Sequence, residues 1–432
     1  MSERPPKVRA EGSDAVQRLL VTLGCGLGLG VLHRLSVFGL PRAEDAGIPL
    51  LPVALAPFMT AFVLVELVAF AVPALRVVRV GGAERRRGLD RTAWAVGGGL
   101  LVVQLLGLQR SLAETMVPEP WSLWAQWLAA EGAMLGLAVV ASRRGLGSGW
   151  GLLLGVGGVD QLIGPVAVAS RALANGAISP GVVLLPGVMV SAAAVWSLWL
   201  SRASRAWGPG KPSTTPFPVS TTSPWALGGV VASVPVTLQS WFDWGGLPQA
   251  LSRSPVFYGA LEAFVAFVCA LVLGVLFFRP ALVAQLWARW SPGVDVEAVT
   301  AAARSLLPRA LLVSMAVLIG VPVVLLVLGG SFPSGTLFLM SAVVVALVAA
   351  DLFDEFQVVR RVGPLVNVWE LQRTAEVEPM VRAMAEQGVE AYPRAFGARS
   401  TQQFFAPWMP VCILVPKSQE AVARAFIASR VG

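Results

Sequence analysis

The residues that could do chemistry in apolar surroundings are few and scattered. Glu66, Glu131, Asp160, Glu262 and Asp351 lie within or beside long apolar runs. A carboxylate at bilayer depth is costly and by default marks an ion or proton path. None of these has an obvious paired cation in the sequence, so a proton- or sodium-coupled transporter is one reading. Asp160–Gln161 and Gln239 are the polar groups such a transporter would bring to the midplane. Cys25, Cys269 and Cys412 stand alone, with no CxxC and no metal spacing. His33, the one histidine, ends the first apolar run, where a structural or interfacial role fits. A metal centre or a Cys/His or Ser/His nucleophile pair needs more histidine than this. Neither a P-loop nor a GxGxxG turn opens a helix after a strand. Gly24, Gly26, Gly28 and Gly30 read as small residues that let helices approach closely in lipid. The expectation is a protein with no catalytic residues, no metal and no cofactor, and not an enzyme.

The elements that carry these residues are membrane spans. The chain has 432 residues, is 56% hydrophobic and carries 13% charge, against about 25% in soluble domains. Several apolar runs reach the ~20 residues a helix needs to cross a bilayer. Ten spans are expected, near 18–40, 52–76, 93–112, 121–141, 150–170, 180–200, 223–243, 255–278, 306–329 and 336–357. The start, MSERPPKVRAEGSDAVQR, is too polar for a cleaved signal peptide.

The net charge of +8 raises nucleic acid as a partner, but the placement of the arginines argues against direct nucleic-acid binding. One set of loops holds Arg4, Lys7, Arg9 and Arg18, the run from Arg76 to Arg91, Arg143 and Arg144, Arg202, Arg205 and Lys211, Arg279, Arg289 and Arg304, and Arg360 and Arg361. The alternate loops hold Arg42, Arg110, Arg171 and Arg253. The asymmetry puts the first set, and both termini, in the cytoplasm.

Several segments together resemble the SecY family, the channel subunit of the Sec protein translocase. "RLLVTLGCGLGLGVLHRLSVFGLP" looks like the first span and its exit, with Arg34 and Leu35 on the pattern. "LAPFMTAFVLVELVAFAVPAL" resembles the second helix, with Pro57 and Phe58 matching and Glu66 where the family usually has glutamine. "GGAERRRGLDRTAWAVGGGLLVVQ" looks like the next basic loop, with Arg85 and Arg86 on its turn. "RRGLGSGWG" is similar to the glycine-rich turn after helix four, and "SVPVTLQSWF" to helix seven. "FFRPALVAQLWARWSPGVD" resembles the loop between helices eight and nine, and "SGTLFLMSAVVVALVAADLFDEFQ" resembles helix ten.

The resemblance implies an all-α polytopic membrane protein of ten transmembrane helices, as two inverted five-helix halves clamped around a pore. A segment 1–17 would precede this 18–361 channel domain. An apolar ring would block ions when empty, as a narrow greasy constriction does by dewetting. By position Leu55, Met59 and Met340 match the ring, with Ser223 and Ala226 as helix-seven counterparts. The implied partners are unfolded polypeptides, the lipid bilayer, SecE/SecG-like small membrane subunits, and a SecA-like motor ATPase or the ribosome. Docking candidates are Arg85, Arg86, Arg143, Arg144, Arg202, Arg205, Lys211, Arg289 and Asp295. The membrane would be the bacterial inner membrane.

The chain departs from the family in five places. About ten residues, "RAEDAGIPLL", fill the interval of the plug helix. The loop after helix six is short and lacks the family's arginine signature. Asp295 stands where the tip of the eight–nine loop carries arginine, an inversion of local charge. The acidic residue before the fourth-helix turn is absent. The chain also continues past the tenth span.

That continuation, 364–432, reads as a small α+β cytoplasmic domain of βαββα type. "LVNVWEL" alternates as a strand. "TAEVEPMVRAMAEQG" is a helix capped by Thr374 and stopped by Gly388. "VEAYPRA" and "PVCILVP" read as strands, and "SQEAVARAFIAS" as a helix capped by Ser418. It loosely resembles a small bacterial domain described as signal-transducing. Glu376, Glu378 and Glu386 read as a solvated helix face. Two functions remain open beside the transporter: a polypeptide channel, or a diverged scaffold or sensor acting through this last domain.

Overall fold

Proline and glycine punctuate the chain, and several helices begin or end beside them. The structure, a computed structural model, describes residues 11–37, 50–51, 55–80, 83–113, 120–177, 179–204, 264–265, 268, 280–315, 335–401 and 409–431. In the membrane part the helices are α1 (Glu11–Arg34), α2 (Ala56–Ala71), α3 (Pro73–Val80), α4 (Ala83–Ala113), α5 (Pro120–Arg144), α6 (Gly149–Ala174) and α7 (Pro180–Ser204). After these come α8 (Pro280–Trp290), α9 (Val296–Met315) and α10 (Gly335–Val362). The expected spans 223–243 and 255–278 lie outside the described residues, apart from 264–265 and 268.

Several boundaries differ from the sequence expectation, each for a local reason. The span expected over 52–76 breaks at Val72, where the backbone turns extended (ψ 116°). Pro73 follows; it disfavours helix in the residue before it and suits a helix start. The arginine-rich segment expected as a loop before residue 93 is instead the first turns of α4. Arginine is a good helix former, so nothing there stops the helix. The helix expected from 306 starts at Val296, just after a turn at Ser291–Asp295.

Among the described residues four helices are long and apolar enough to cross a membrane: Asp14–Arg34, Arg86–Gln109, Trp121–Arg144 and Gly149–Ala174. Ala56–Ala71 and Gly187–Trp199 are shorter apolar helices. Only 22–33% of each long span is buried within the protein. Leu20, Leu23, Leu27 and Val31 of α1 all point outward. Such faces require an apolar solvent, and lipid supplies it. The chain is a multi-pass membrane protein. Inside, α2 packs on α4, and α10 packs on α6 and α7. Leu29, Phe58, Phe62, Leu105, Trp127 and Met134 form the centre of the bundle core.

The chain after α10 folds around a three-stranded antiparallel sheet. Its strands are β1 (Leu365–Leu371), β2 (Tyr392–Arg394) and β3 (Val411–Pro416), in the order β1-β3-β2. Leu371 lies opposite Val411, and Arg394 opposite Cys412. Helices α11 (Val377–Glu386) and α13 (Glu420–Val431) cover it, with Met380, Met384, Ile413, Val415 and Ile427 in the shared core. Gly388 takes φ +73° and ends α11, as expected. The expected caps do not form. Thr374 and Ser418 lie within short 3-10 turns, Thr374–Glu376 and Lys417–Gln419. The strand expected from "VEAYPRA" shrinks to three residues, and a short helix α12 (Phe396–Thr401) intervenes before β3.

Candidate functional site

The glycine-rich turn between α5 and α6 is where these two helices meet α1 and α10. Gly147 has φ +68°, a conformation that suits glycine, and a Cβ there would approach Leu352 Cδ2 to 2.6 Å. A Cβ on Gly149 would land on the Ala138 carbonyl oxygen. The turn can therefore lie flat against α1 and α10. The Leu146 N–H donates to Thr22 Oγ1 of α1 at 2.7 Å, and the Thr22 hydroxyl donates to the Arg18 carbonyl at 2.9 Å. The Gly147 N–H donates to Glu355 Oε2 of α10 at 2.8 Å.

The C-terminal unit is fastened to this junction. Arg394 Nε donates to Glu355 Oε2 at 2.9 Å, and Arg394 Nη2 pairs with Glu355 Oε1. Arg394 Nη1 also donates to the Ser142 carbonyl in the last turn of α5, at 3.2 Å. The side chains of Arg394 and Glu355 are 11% and 5% exposed, so the pair is largely desolvated and its geometry matters. One turn earlier on α10, Asp351 accepts the Gly397 and Ala398 N–H groups at 2.9 and 2.8 Å. These are orphan donors at the start of α12. Asp351, read from sequence as a candidate ion-path residue, is a structural acceptor for this unit. Ala395, Ala398 and Met409 join the apolar core of the membrane bundle.

A second attachment lies on the hairpin of α8 and α9. Trp290 is 1% exposed and sits in the core of the C-terminal unit. Its Nε1–H donates to Glu376 Oε1 at 3.0 Å, and Arg289 Nη1 lies 3.3 Å from the same oxygen. Glu376 is thus a buried acceptor; the solvated-face expectation fails for it because the hairpin covers that face. Glu386 is exposed and pairs with Arg382. Asp295 caps α9, its Oδ1 accepting from the Glu297 and Ala298 N–H groups at 2.9 and 3.2 Å. An arginine could not accept these bonds, and that is the local reason for an acid at this tip.

Between α2 and α4, Arg86 pairs with Glu66, both side chains being 3% exposed, and reaches Asp90 at 3.3 Å. The expectation that Arg86 is a docking cation is corrected: burial and the carboxylates hold it inside. Glu66, which had no evident cation in sequence, has this one. Asp160 is 3.4 Å from Arg34, and Ser341 Oγ donates to Gln161 Oε1 at 2.6 Å. An apolar groove of about 580 Å³ ends at that Arg34–Asp160 pair, lined by Gly26, Gly30, Gly155 and Val348 among others.

Of the ring candidates, Leu55 is buried at the start of α2 and Met59, one turn on, is half-buried. Met340 is on α10, with its side chain outside the described residues, as are Ser223 and Ala226 altogether. Arg143 and Arg144 are exposed at the end of α5. Arg85 and Arg202 lie on α4 and α7, their side chains outside the described residues; Arg205 and Lys211 lie outside entirely. Glu355, Arg394, Thr22 and Trp290 were not singled out from sequence. The acids of "DLFDEF" at 351 and 355 are one helical turn apart, a spacing that marks one face. Nothing local identified Arg394 as their partner.

Sequence comparison finds no matching family profile and no matching curated protein. Comparison of folds finds protein-conducting channels. A SecY channel, known for a plug domain that stabilises its closed state, superposes with TM-score 0.54 and 13% identity. A second protein-conducting channel gives 0.53 and 11%, and Sec61 from the canine ribosome–channel complex of the endoplasmic reticulum gives 0.51 and 12%. Each match covers 84% of this chain and 96% of the other. The fold is SecY-like.

Proposed function

We propose that the chain is the pore-forming subunit of a Sec-type translocase, moving or inserting polypeptides across or into the bacterial inner membrane. The observation that carries this is the breadth of the fold likeness: almost the whole of a protein-conducting channel is matched. This reading takes 18–361 as a ten-helix channel domain and 364–432 as an added C-terminal domain. Folds host many functions, so the site must decide. In this reading Leu55, Met59 and Met340, with Ser223 and Ala226, line the constriction, and both termini are cytoplasmic. The subunit performs no covalent chemistry. SecE/SecG-like subunits brace it, and a SecA-like motor or the ribosome supplies the driving force.

The test is photocrosslinking of a stalled secretory polypeptide to probes at Leu55, Met59 and Met340 in reconstituted membranes. Crosslinks at all three that need the motor or ribosome support a working pore. Their absence in a folded, inserted protein removes the channel reading. A scaffold or sensor is the second reading, favoured by one observation. The hairpin that carries Arg289 is already occupied by the C-terminal unit.

A further inference from the structure

Among the described residues the C-terminal unit holds the membrane bundle by polar side chains at two separate places. One is the α5–α6 turn and α10, through Arg394, Gly397 and Ala398. The other is the α8–α9 hairpin, through Trp290 and Arg289 on Glu376. Ala375 also packs on the hairpin's own cluster of Val283, Ala284, Trp287 and Val299. The α5–α6 turn belongs to the first helical half of the chain and the hairpin to the second. The unit also meets α7 of the second half through α12.

We propose that the C-terminal unit is the hairpin's own docking partner and a brace between the two halves. It offers the hairpin an indole-sized apolar pocket with a carboxylate at its rim. Glu376 satisfies both the Trp290 donor and the Arg289 cation. While this contact stands, a cytosolic protein cannot use the Arg289–Trp290 face. A competitor would need the same chemistry, an apolar surface with an adjacent acid. Arg394 reaches the first half through the Ser142 carbonyl and α10 of the second half through Glu355, so the unit adds a second link between halves that already meet where α10 packs on α6.

The statement about cytosolic docking rests on the channel reading, but the test does not. Spin labels on Arg143→Cys and Pro292→Cys, both exposed, report the separation between the halves in the full chain in lipid nanodiscs. Cys25, Cys269 and Cys412 are replaced by alanine. A second pair, Arg382→Cys and Val422→Cys, both exposed, reports the integrity of the unit. With intact anchors both distance distributions should be narrow. Glu376→Lys and Arg394→Met should each broaden the first at least twofold and leave the second narrow. A first distribution that stays narrow in both variants overturns the proposal. So does one that broadens only together with the second, because the effect is then unfolding. Where the harsher variants disorder the unit, Glu376→Gln and Arg394→Lys are read by the same criterion. A protein that passes no polypeptide can still pass or fail this test.

Discussion

The indole N–H of Trp290 donates to the carboxylate of Glu376 at 3.0 Å, joining a membrane-side hairpin to a sheet domain 86 residues later. Both residues are buried. Glu376→Ala leaves a buried donor unsatisfied and Arg289 without its carboxylate. A cost of about 1–3 kcal/mol is expected, read as a lower thermal midpoint of the C-terminal unit and faster amide exchange across residues 280–290. An unchanged midpoint and exchange pattern would show that water replaces the carboxylate freely.

The Arg86–Glu66 pair tests a different kind of burial. Removing one partner of a buried ion pair costs roughly 3–5 kcal/mol, whereas replacing both with apolar groups is often neutral. Glu66→Met should therefore lower thermal stability in detergent sharply. The double variant Glu66→Met/Arg86→Met should recover most of the loss. If Glu66→Met and Arg86→Met are each neutral, the pair is solvated and its burial is wrong.

Gly149 and Gly98 are both helical glycines, but only one is confined. Gly149→Ala places a methyl on the Ala138 carbonyl oxygen, while a Cβ on Gly98 meets nothing within 4 Å. Gly149→Ala should cost at least ~1–3 kcal/mol through forced movement of the turn. Gly98→Ala should be neutral or mildly stabilising. Melting of the two variants side by side checks this.

Asp295→Ala should fray the first turn of α9 at a cost of ~0.5–2 kcal/mol, and Asp295→Ser should restore most of it, since serine also caps. Asp295→Arg should behave like alanine. Amide exchange at Glu297 and Ala298 is the readout. If Asp295→Ala leaves their protection intact, the cap is not what holds the turn.

Cys412 sits on the central strand between Glu370 and Arg394. Burial first, then the charge of Glu370, pushes its thiol up to about 12 from 9.0, with Arg394 opposing. A raised acid stays neutral when folded and ionises earlier when unfolded. Its contribution to stability is full below pH 9 and falls away as pH rises toward about 12. N-ethylmaleimide should therefore spare Cys412 at pH 8 in the native chain and label it after denaturation. Cys412→Ala should flatten the alkaline loss of stability. Cys412 is half-buried, so native labelling at pH 8 at the rate of a free thiol would refute the raised pKa.

The sequence by itself determined the solvent, the four long spans among the described residues, and the three strands and two main helices after α10, though not the short α12. Long apolar runs have one stable state in lipid, a helix, because backbone groups there must bond within their own segment. Strand alternation and Gly388 likewise act locally. The resemblance in ordered short motifs also reached the SecY-like fold without the coordinates. The roles of single charges were decided only by the tertiary structure. Glu66 and Arg86 are 20 residues apart, Asp351 and Gly397 46, Glu355 and Arg394 39, and Trp290 and Glu376 86. No periodicity links such positions. In one dimension Glu66 and Asp351 read as ion-path carboxylates and Glu376 as a solvated one, while Glu355 drew no reading. Each instead meets a donor brought by packing, because a charge buried without a partner costs more free energy than the surrounding apolar packing returns.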